Sequence, residues 1–572
     1  MAKRKKRKSN AKHSDKNLRI TALFLILMLP ALGIVARLYY LQIQQGDYYS
    51  ALAVGQSVDV KSSPPPRGDI YFQDKAGSAK YIAAINREVP LVYADPGEVS
   101  DPIHTLSRLE EVIKFEKDEM NTVESRLQNK TSSYALIARH LEEEQAQRII
   151  EMNLEGVYVK NELVRHYPAE ETASHVLGFL GFSGNKRAGQ YGVEKYNDDI
   201  LSGKNIKGFS INSIFSGSAD SAADIELTID YGAQFAVEKE LKELQERWDP
   251  DSISALFMDP KTGAIIAMAH IPGFDPNEYY KTEDVSHFSN PLVQSRFEFG
   301  SVFKPITMAA AIDSGAVLPG TQYEDTGKVE IGSYTIRNSD GEKHGIQTMT
   351  QVLEKSLNTG VIFAEEKMGK KKFKEYLEAF ELNELTKVDL PGEISGDMNN
   401  VLNTTRDINY ATASFGQGLS FSTVRFLSSI AAIANNGTIM QPYIVNKIVQ
   451  NGEEIETKPQ EVSTPISKTT ASRVTAMMVS VVENGFGAKA GVPGYSVAGK
   501  TGTAQIPKED GPGYSDRTLQ SFIGFAPAYN PKFIGIIQME NPKGIRFASD
   551  SVAPAFGDIS SFLLQYYNIP PQ

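Results

Sequence analysis

The chain has 572 residues, 41% apolar and 23% charged, which suits two or three folded units and excludes a disordered or fibrous protein. Its net charge of -11 is uneven: the first 19 residues carry nine Lys or Arg and one Asp, so the acidic remainder is no candidate for binding nucleic acid. There is no cysteine, which removes disulfides, thiolate metal sites and cysteine nucleophiles, and the eight histidines form no HxxxH-type pair, so neither a metal site nor another cofactor site is expected.

The basic tail, residues 1–19, runs into "ITALFLILMLPALGIVA", 17 uncharged residues that Leu38, Tyr39 and Tyr40 extend past a snorkelling Arg37. Residues 20–43 are therefore predicted to anchor the chain in the inner (plasma) membrane as a single span. The positive charges before the span place the N-terminus in the cytoplasm and the body outside. A cleaved signal peptide, with "ALG" at 31–33 as the processing site, is the rival reading.

Next comes "KSSPPPRGDIYFQDK", in which prolines stiffen the approach to a strand at "RGDIYF". Arg67-Gly68-Asp69 matches a cell-adhesion tripeptide, but three residues are too short to carry that reading. "LEEEQAQRIIEMNL" has helical periodicity and "EGVYVKNELVRHYP" alternates as a strand does. Residues 44–203 thus read as one mixed α+β unit. Residues 204–223, rich in Gly, Ser, Asn and Ala, read as a linker.

A second unit, 224–572, opens with the strand "IELTID" and a helix from Tyr231. "ISALFMDPKTGAIIAMA" predicts a hairpin, a helical block surrounds Ser301, and "SFIGFAP" and "FIGIIQM" predict two late strands. The last helix places Val552, Phe556, Ile559, Leu563 and Tyr566 on one face. This order predicts an α+β domain whose mainly antiparallel sheet is flanked by helices and takes its edges from both ends of the unit.

Three short motifs carry chemistry. In "FEFGSVFKP", Ser301 and Lys304 are helical neighbours, so a desolvated lysine amine can take the proton of the serine hydroxyl. Pro305 suits an early helical position but biases Lys304 away from helical angles. "LEKSLNTGV" offers Ser356 and Asn358, and "SVAGKTGTAQ" offers Lys500, Thr501, Gly502 and Thr503. Two decoys exist: Ser183-Gly184-Asn185-Lys186 in a Gly/Asn loop, and Lys261-Thr262-Gly263 in the hairpin turn.

SxxK, Ser-x-Asn and Lys-Thr-Gly in that order are the signature of penicillin-binding proteins and class A β-lactamases. Together with "PPPRGDIYFQD", "GQYGVEKYND", "MDPKTGAIIAMA", "ASFGQGLSFS" and "FIGFAP", the chain resembles class B penicillin-binding proteins over nearly all of its length after the anchor. "YADPGEV" and "RHYP" resemble the septal, penicillin-binding protein 3-like branch. The resemblance implies a pedestal at 44–203 and a transpeptidase domain at 224–572. It implies a D,D-transpeptidase that crosslinks peptidoglycan stem peptides ending in D-Ala-D-Ala and is acylated by β-lactams. It implies Ser301 as nucleophile, Lys304 as its base, Ser356 and Lys500 in the proton network, and Asn358, Thr501, Gly502 and Thr503 against the substrate. A membrane-embedded glycosyltransferase and other division proteins are the implied partners. A water-using carboxypeptidase or β-lactamase, and a non-catalytic scaffold or sensor, are the alternatives.

Overall fold

The computed structural model describes residues 37, 66–74, 80–183, 186–203, 222–508, 511 and 513–571. The predicted tail, nearly all of the predicted anchor and residues 204–221 of the predicted linker lie outside these. Among the described residues no helix is long and apolar enough to cross a membrane.

The first half supplies strands β1 (Ile70–Gln73), β2 (Tyr81–Ala94), β3 (Ala135–Ala138) and β4 (Val157–His166). Between them lie helices α1 (Pro102–Glu110), α2 (Lys117–Gln128) and α3 (Glu143–Glu151). Asp101 starts α1 by accepting from the Ile103 and His104 amides, with Pro102 in the first turn, where a missing N–H costs nothing. The helices bury Leu106, Leu109, Val123, Leu127 and Ile149 against Val92, Ala94 and Ile137 of the strands, a small core of their own.

This pedestal is not walled off at the predicted boundary. Strand β5 (Asp224–Asp230) pairs in parallel with β1, Ile70 opposite Ile225, and its other edge takes β12 (Val445–Gln450), then β13 (Glu453–Glu456). One seven-stranded sheet therefore joins pedestal and catalytic unit. Gly68 permits the junction: a Cβ there would lie 1.8 Å from the Ala223 carbonyl oxygen. Its neighbour Arg67 is buried, with Nε donating to Glu194 at 2.6 Å and a second nitrogen to Asp198 at 2.7 Å. Arg165 Nε donates to the other Glu194 oxygen at 2.8 Å. The Arg-Gly-Asp tripeptide is thus a structural joint whose arginine is hidden from any adhesion partner.

The catalytic sheet has five antiparallel strands. In spatial order they are β14 (Ala498–Pro507), β15 (Tyr514–Ala526), β16 (Phe533–Glu540), β6 (Ser252–Met258) and β7 (Ile265–Ile271). Sequence order and spatial order differ because the N-terminal hairpin β6–β7 adds to strands from the C-terminus, as predicted. The decoy Lys261-Thr262-Gly263 is the turn of that hairpin, closed by the Gly263 amide on the Asp259 carbonyl. One face is covered by α4 (Tyr231–Trp248) and α10 (Val552–Tyr566), which bury Val237, Leu241, Phe556 and Leu563 against Phe257 and Phe522. The other faces a helical layer containing α5 (Lys304–Asp313), α6 (Met349–Glu354), α7 (Asn358–Met368), α8 (Thr423–Ala434) and α9 (Lys468–Asn484). Helices α5 and α8 are buried almost all round, and the apolar residues of α5 show no single-faced stripe.

Between α5 and α6 the chain makes an excursion of four short strands: β8 (Gln322–Asp325), β9 (Lys328–Ile331), β10 (Tyr334–Arg337) and β11 (Gly345–Thr348). β8 pairs with β11 and β9 with β10. Described by itself, the hairpin of Leu180–Ser183 and Lys186–Gly189 holds the other decoy, with Ser183 opposite Lys186 and residues 184–185 outside the described set.

Candidate active site

Ser301 lies in a 3₁₀ turn, Gly300–Phe303, that leads directly into α5. Gly300 enters it at φ +56°, and a Cβ there would come 2.9 Å from the Ala504 Cβ, so the turn sits hard against β14. Beneath it Phe299 stacks on Phe426 at 4.2 Å and Phe303 on Phe421 at 6.0 Å. Lys304 adopts helical angles, φ -53° and ψ -35°, despite the proline that follows. Burial of the whole α5 face outweighs the local bias against that conformation. Ser301 itself is half-buried, while Lys304 is fully enclosed.

The other two motifs converge on that lysine. Lys304 Nζ donates to the Ser356 carbonyl oxygen at 2.6 Å and to Ser356 Oγ at 3.2 Å. Lys500 Nζ donates to the same Oγ at 3.0 Å and to the Thr501 carbonyl at 2.9 Å. Ser356 is held between two buried amines at φ +54°, a conformation that a residue with a side chain adopts only when its surroundings impose it. The spacing in the sequence suggests that the Lys304 amine bonds Ser301. In the structure the hydrogen bonds of that amine go to Ser356, because α5 and the α6–α7 turn meet there.

Two amines in one dry pocket repel each other's protons. Burial first, then the Lys500 charge, hold Lys304 far below the usual lysine range, with Asp340 opposing the shift. Burial lowers Lys500 to about 7. Both lysines are thereby poised to stand neutral near physiological pH, the state a base requires.

The remaining predicted residues frame this pair. Leu357, the middle residue of Ser-x-Asn, is fully buried core, and Asn358 opens α7 with its amide donating to the Arg337 carbonyl at 2.9 Å. Thr503 is exposed on β14, and its Oγ1 accepts from the Ala548 amide at 3.3 Å, whereas Thr501 is nearly buried. β14 is a terminal strand of its sheet, so one edge is not paired within that sheet. Gly502 sits where β14 meets the turn of Ser301. A Cβ there would lie 2.7 Å from Ser521 Oγ and 3.0 Å from the Phe299 carbonyl, so its smallness also admits the turn carrying Ser301. Gly502→Ala is expected to cost about 1–3 kcal/mol in urea unfolding by overpacking this contact, and to slow acylation.

One polar cluster carries no recognisable motif in the sequence. Asp325, buried in β8, accepts from the Gly327 and His344 amides, from Thr359 Oγ1 at 2.8 Å and from Asn338 Nδ2. Asn338 Oδ1 in turn accepts from the Thr359 amide at 3.3 Å, which pins the excursion to the start of α7 beside Asn358. The polar run "RNSDGEKHG" between two strands was its only signal. Two of the eight histidines, buried His175 and half-buried His270, pack edge to face at 5.0 Å, with burial lowering them to about 4 and about 3. A cavity of about 460 Å³ opens nearby, lined by Arg296, Phe297, Glu298, Gln505 and Pro507 among others, but neither lysine nor Ser301 lines it.

Against known proteins, residues 253–561 match the penicillin-binding protein transpeptidase domain, more than half of the chain. The chain belongs to the penicillin-binding transpeptidase family. Residues 62–211 match the penicillin-binding protein dimerisation domain, which falls on the pedestal. This transpeptidase is 32% identical to Stage V sporulation protein D of Bacillus subtilis over 98% of its own length and 88% of that protein. It is 29% identical to the penicillin-binding protein PbpB of Mycobacterium tuberculosis over 96% of its length and 84% of that protein. Its fold is similar to that of penicillin-binding protein 3 from Mycobacterium tuberculosis in complex with aztreonam, with TM-score 0.67 and 26% identity over 89% of this chain and 98% of that one.

Proposed function

We propose that the chain is a serine-type peptidoglycan D,D-transpeptidase that works through an acyl-enzyme on Ser301. The observation that carries this reading is the meeting of three motifs, 144 residues apart at their widest hydrogen bond, on Ser356 Oγ. A neutral lysine amine has two N–H donors and one lone pair. On Lys304 both donors are engaged by Ser356, which leaves the lone pair for the Ser301 hydroxyl three residues back.

Ser301 Oγ attacks the carbonyl of the penultimate D-Ala while Lys304 takes its proton. The carbonyl oxygen becomes negative and is received by the Ser301 and Thr503 backbone N–H groups, with the start of the helix adding its dipole. Ser356 Oγ already accepts from both lysines, so its own hydrogen is free to pass to the departing amine of the terminal D-Ala. Asn358 and the free edge of β14 hold the donor peptide extended, and Thr501 and Thr503 receive its carboxylate. An amine from a second stem peptide then takes the acyl group. β-Lactams acylate Ser301 as mimics of the donor, in keeping with the aztreonam complex of the similar structure.

Residues 20–43 serve in this reading as a single-pass anchor and 44–203 as a pedestal that carries the site away from the membrane. The septal role rests on the "YADPGEV" and "RHYP" segments, and the D,D-transpeptidase chemistry is supported by 27% identity to the peptidoglycan D,D-transpeptidase FtsI homolog of Mesostigma viride. A membrane glycosyltransferase is the partner it implies. A sporulation role is the second reading, favoured by the Bacillus relative. A fluorescent fusion at mid-cell in growing cells supports the first, and one confined to sporulating cells the second.

Labelling the full chain with a fluorescent penicillin and mapping the adduct tests the chemistry. The expected adduct is on Ser301 and persists for many minutes. Turnover within seconds would indicate a β-lactamase, and an adduct on another side chain would refute the site.

A further inference from the structure

Acylation consumes the donor, but the second half of the reaction has a different requirement. An amine acceptor arrives largely as an ammonium, and it must lose a proton before it can attack. The two lysines cannot welcome it, since both sit in a desolvated pocket without a carboxylate bonded to either. The excursion between α5 and α6 brings one. Asp340 is the carboxylate whose charge reaches Lys304. Its Oδ2 bonds His344 Nε2 at 2.9 Å, and its Oδ1 accepts from the Glu342 amide at 3.0 Å.

This pair is built rather than incidental. The His344 amide is fixed on buried Asp325, and the His344 carbonyl accepts from Gln347 Nε2 at 2.8 Å. Asn338, two residues before Asp340, is tied to Asp325 and to Thr359, and Arg337 before it accepts from Asn358. The loop that carries the pair is therefore stapled to the substrate-binding end of the Ser-x-Asn segment. Both side chains remain partly open to solvent, at 30% and 21%. With Nε2 on Asp340, the other ring nitrogen, Nδ1, has no hydrogen-bond partner among the described residues.

We propose that Asp340 and His344 form the acceptor subsite, which binds the incoming ammonium and removes its proton. The inference rests on the transpeptidase reading. Asp340 attracts the cation and fixes the His344 tautomer with hydrogen on Nε2. Nδ1 takes one proton from the ammonium. The resulting amine attacks the ester carbon of the acyl-enzyme, a C–N bond forms, and the bond from that carbon to Ser301 Oγ breaks. Ser301 recovers its hydrogen from the attacking nitrogen through Lys304, and the proton on His344 leaves to water. The sum is one amide, one free serine and one released proton. Water as acceptor needs no such cation site, so the pair separates aminolysis from hydrolysis.

The test uses the full chain, a benzoyl-D-alanyl thioester as donor and D-alanine as acceptor, alongside fluorescent penicillin. Asp340→Asn and His344→Gln are expected to keep the rate of penicillin acylation within threefold. They are expected to lower the ratio of aminolysis to hydrolysis at least tenfold and to raise the KM for D-alanine. Asp340→Glu is expected to restore part of the ratio, and Lys343→Ala, which removes an exposed charge from the same loop, to leave it unchanged. An unchanged ratio in both dyad variants overturns the proposal. So does penicillin acylation that falls as far as transfer, because the loop would then serve the donor half or the fold. A wild-type chain not labelled on Ser301 would overturn the transpeptidase reading itself.

Discussion

Lys304→Met is expected to fold and to react with benzylpenicillin about a thousandfold more slowly than the wild type, with Ser301→Ala setting the zero of the assay. The size follows from the value of a positioned general base, about 10²–10⁴ in rate. The fold should survive because Lys304 lies on a fully buried stretch of α5, where a flexible methionine of similar length can fill the space. The two bonds lost are to Ser356, whose Oγ keeps its bond from Lys500. A second-order acylation rate within tenfold of wild type, with circular dichroism unchanged, would show that Ser301 is activated by something else. In the wild type the same rate should climb with pH through the neutral range as the lysine pair sheds its proton.

Lys500→Met should separate stability from activity. Acylation is expected to fall at least a hundredfold, since Ser356 loses one of its two amine donors. Stability at pH 7 is expected to rise by about 2 kcal/mol, because an enclosed amine is costlier than an apolar side chain of the same shape. The pH dependence identifies the cause. Lys500 is lowered from 10.5 to about 7 in the folded chain, so between those values the unfolded chain holds more protons. Wild-type stability therefore increases as pH rises from about 7 towards 10.5 and is lost again on the way down. The methionine variant has no such term, so its advantage should shrink towards pH 10.5. Equal unfolding curves at pH 7 and pH 10 for the two proteins would mean that the lysine is not desolvated as described.

The two effects have one origin. A site that keeps two lysines without a bonded carboxylate is unstable as a structure and useful as a base. The surrounding layers make it possible: β14 and β15 on one side, α5 and the α6–α7 turn on the other, with the Phe299–Phe426 stack below. The Ser356 backbone at positive φ is a further cost at the same point.

Local pattern was enough for much of the molecule. The β6–β7 hairpin, the strand at Asp224–Asp230, the late strands and the terminal helix announce themselves by alternation, turn residues and helical spacing. The residues that meet in the candidate site were also legible, because a nucleophile, a base and a second lysine demand particular side chains at particular spacings. What the chain does not write locally is partnership. β1 with β5, and β5 with β12, are pairings between distant segments, so the composition change at 204–223 does not tell that one sheet takes strands from both sides of it. For the same reason the hydrogen bonds of the Lys304 amine go to Ser356, Gly502 makes room for the turn of Ser301, and Arg67 meets Glu194. The Asp340–His344 pair became visible only when Asp325, Asn338 and Thr359 closed around it. Sequence determined which groups were available, because chemistry depends on residue type. Only tertiary packing decided which are dry and which face one another, because those depend on what every other part of the chain excludes from water.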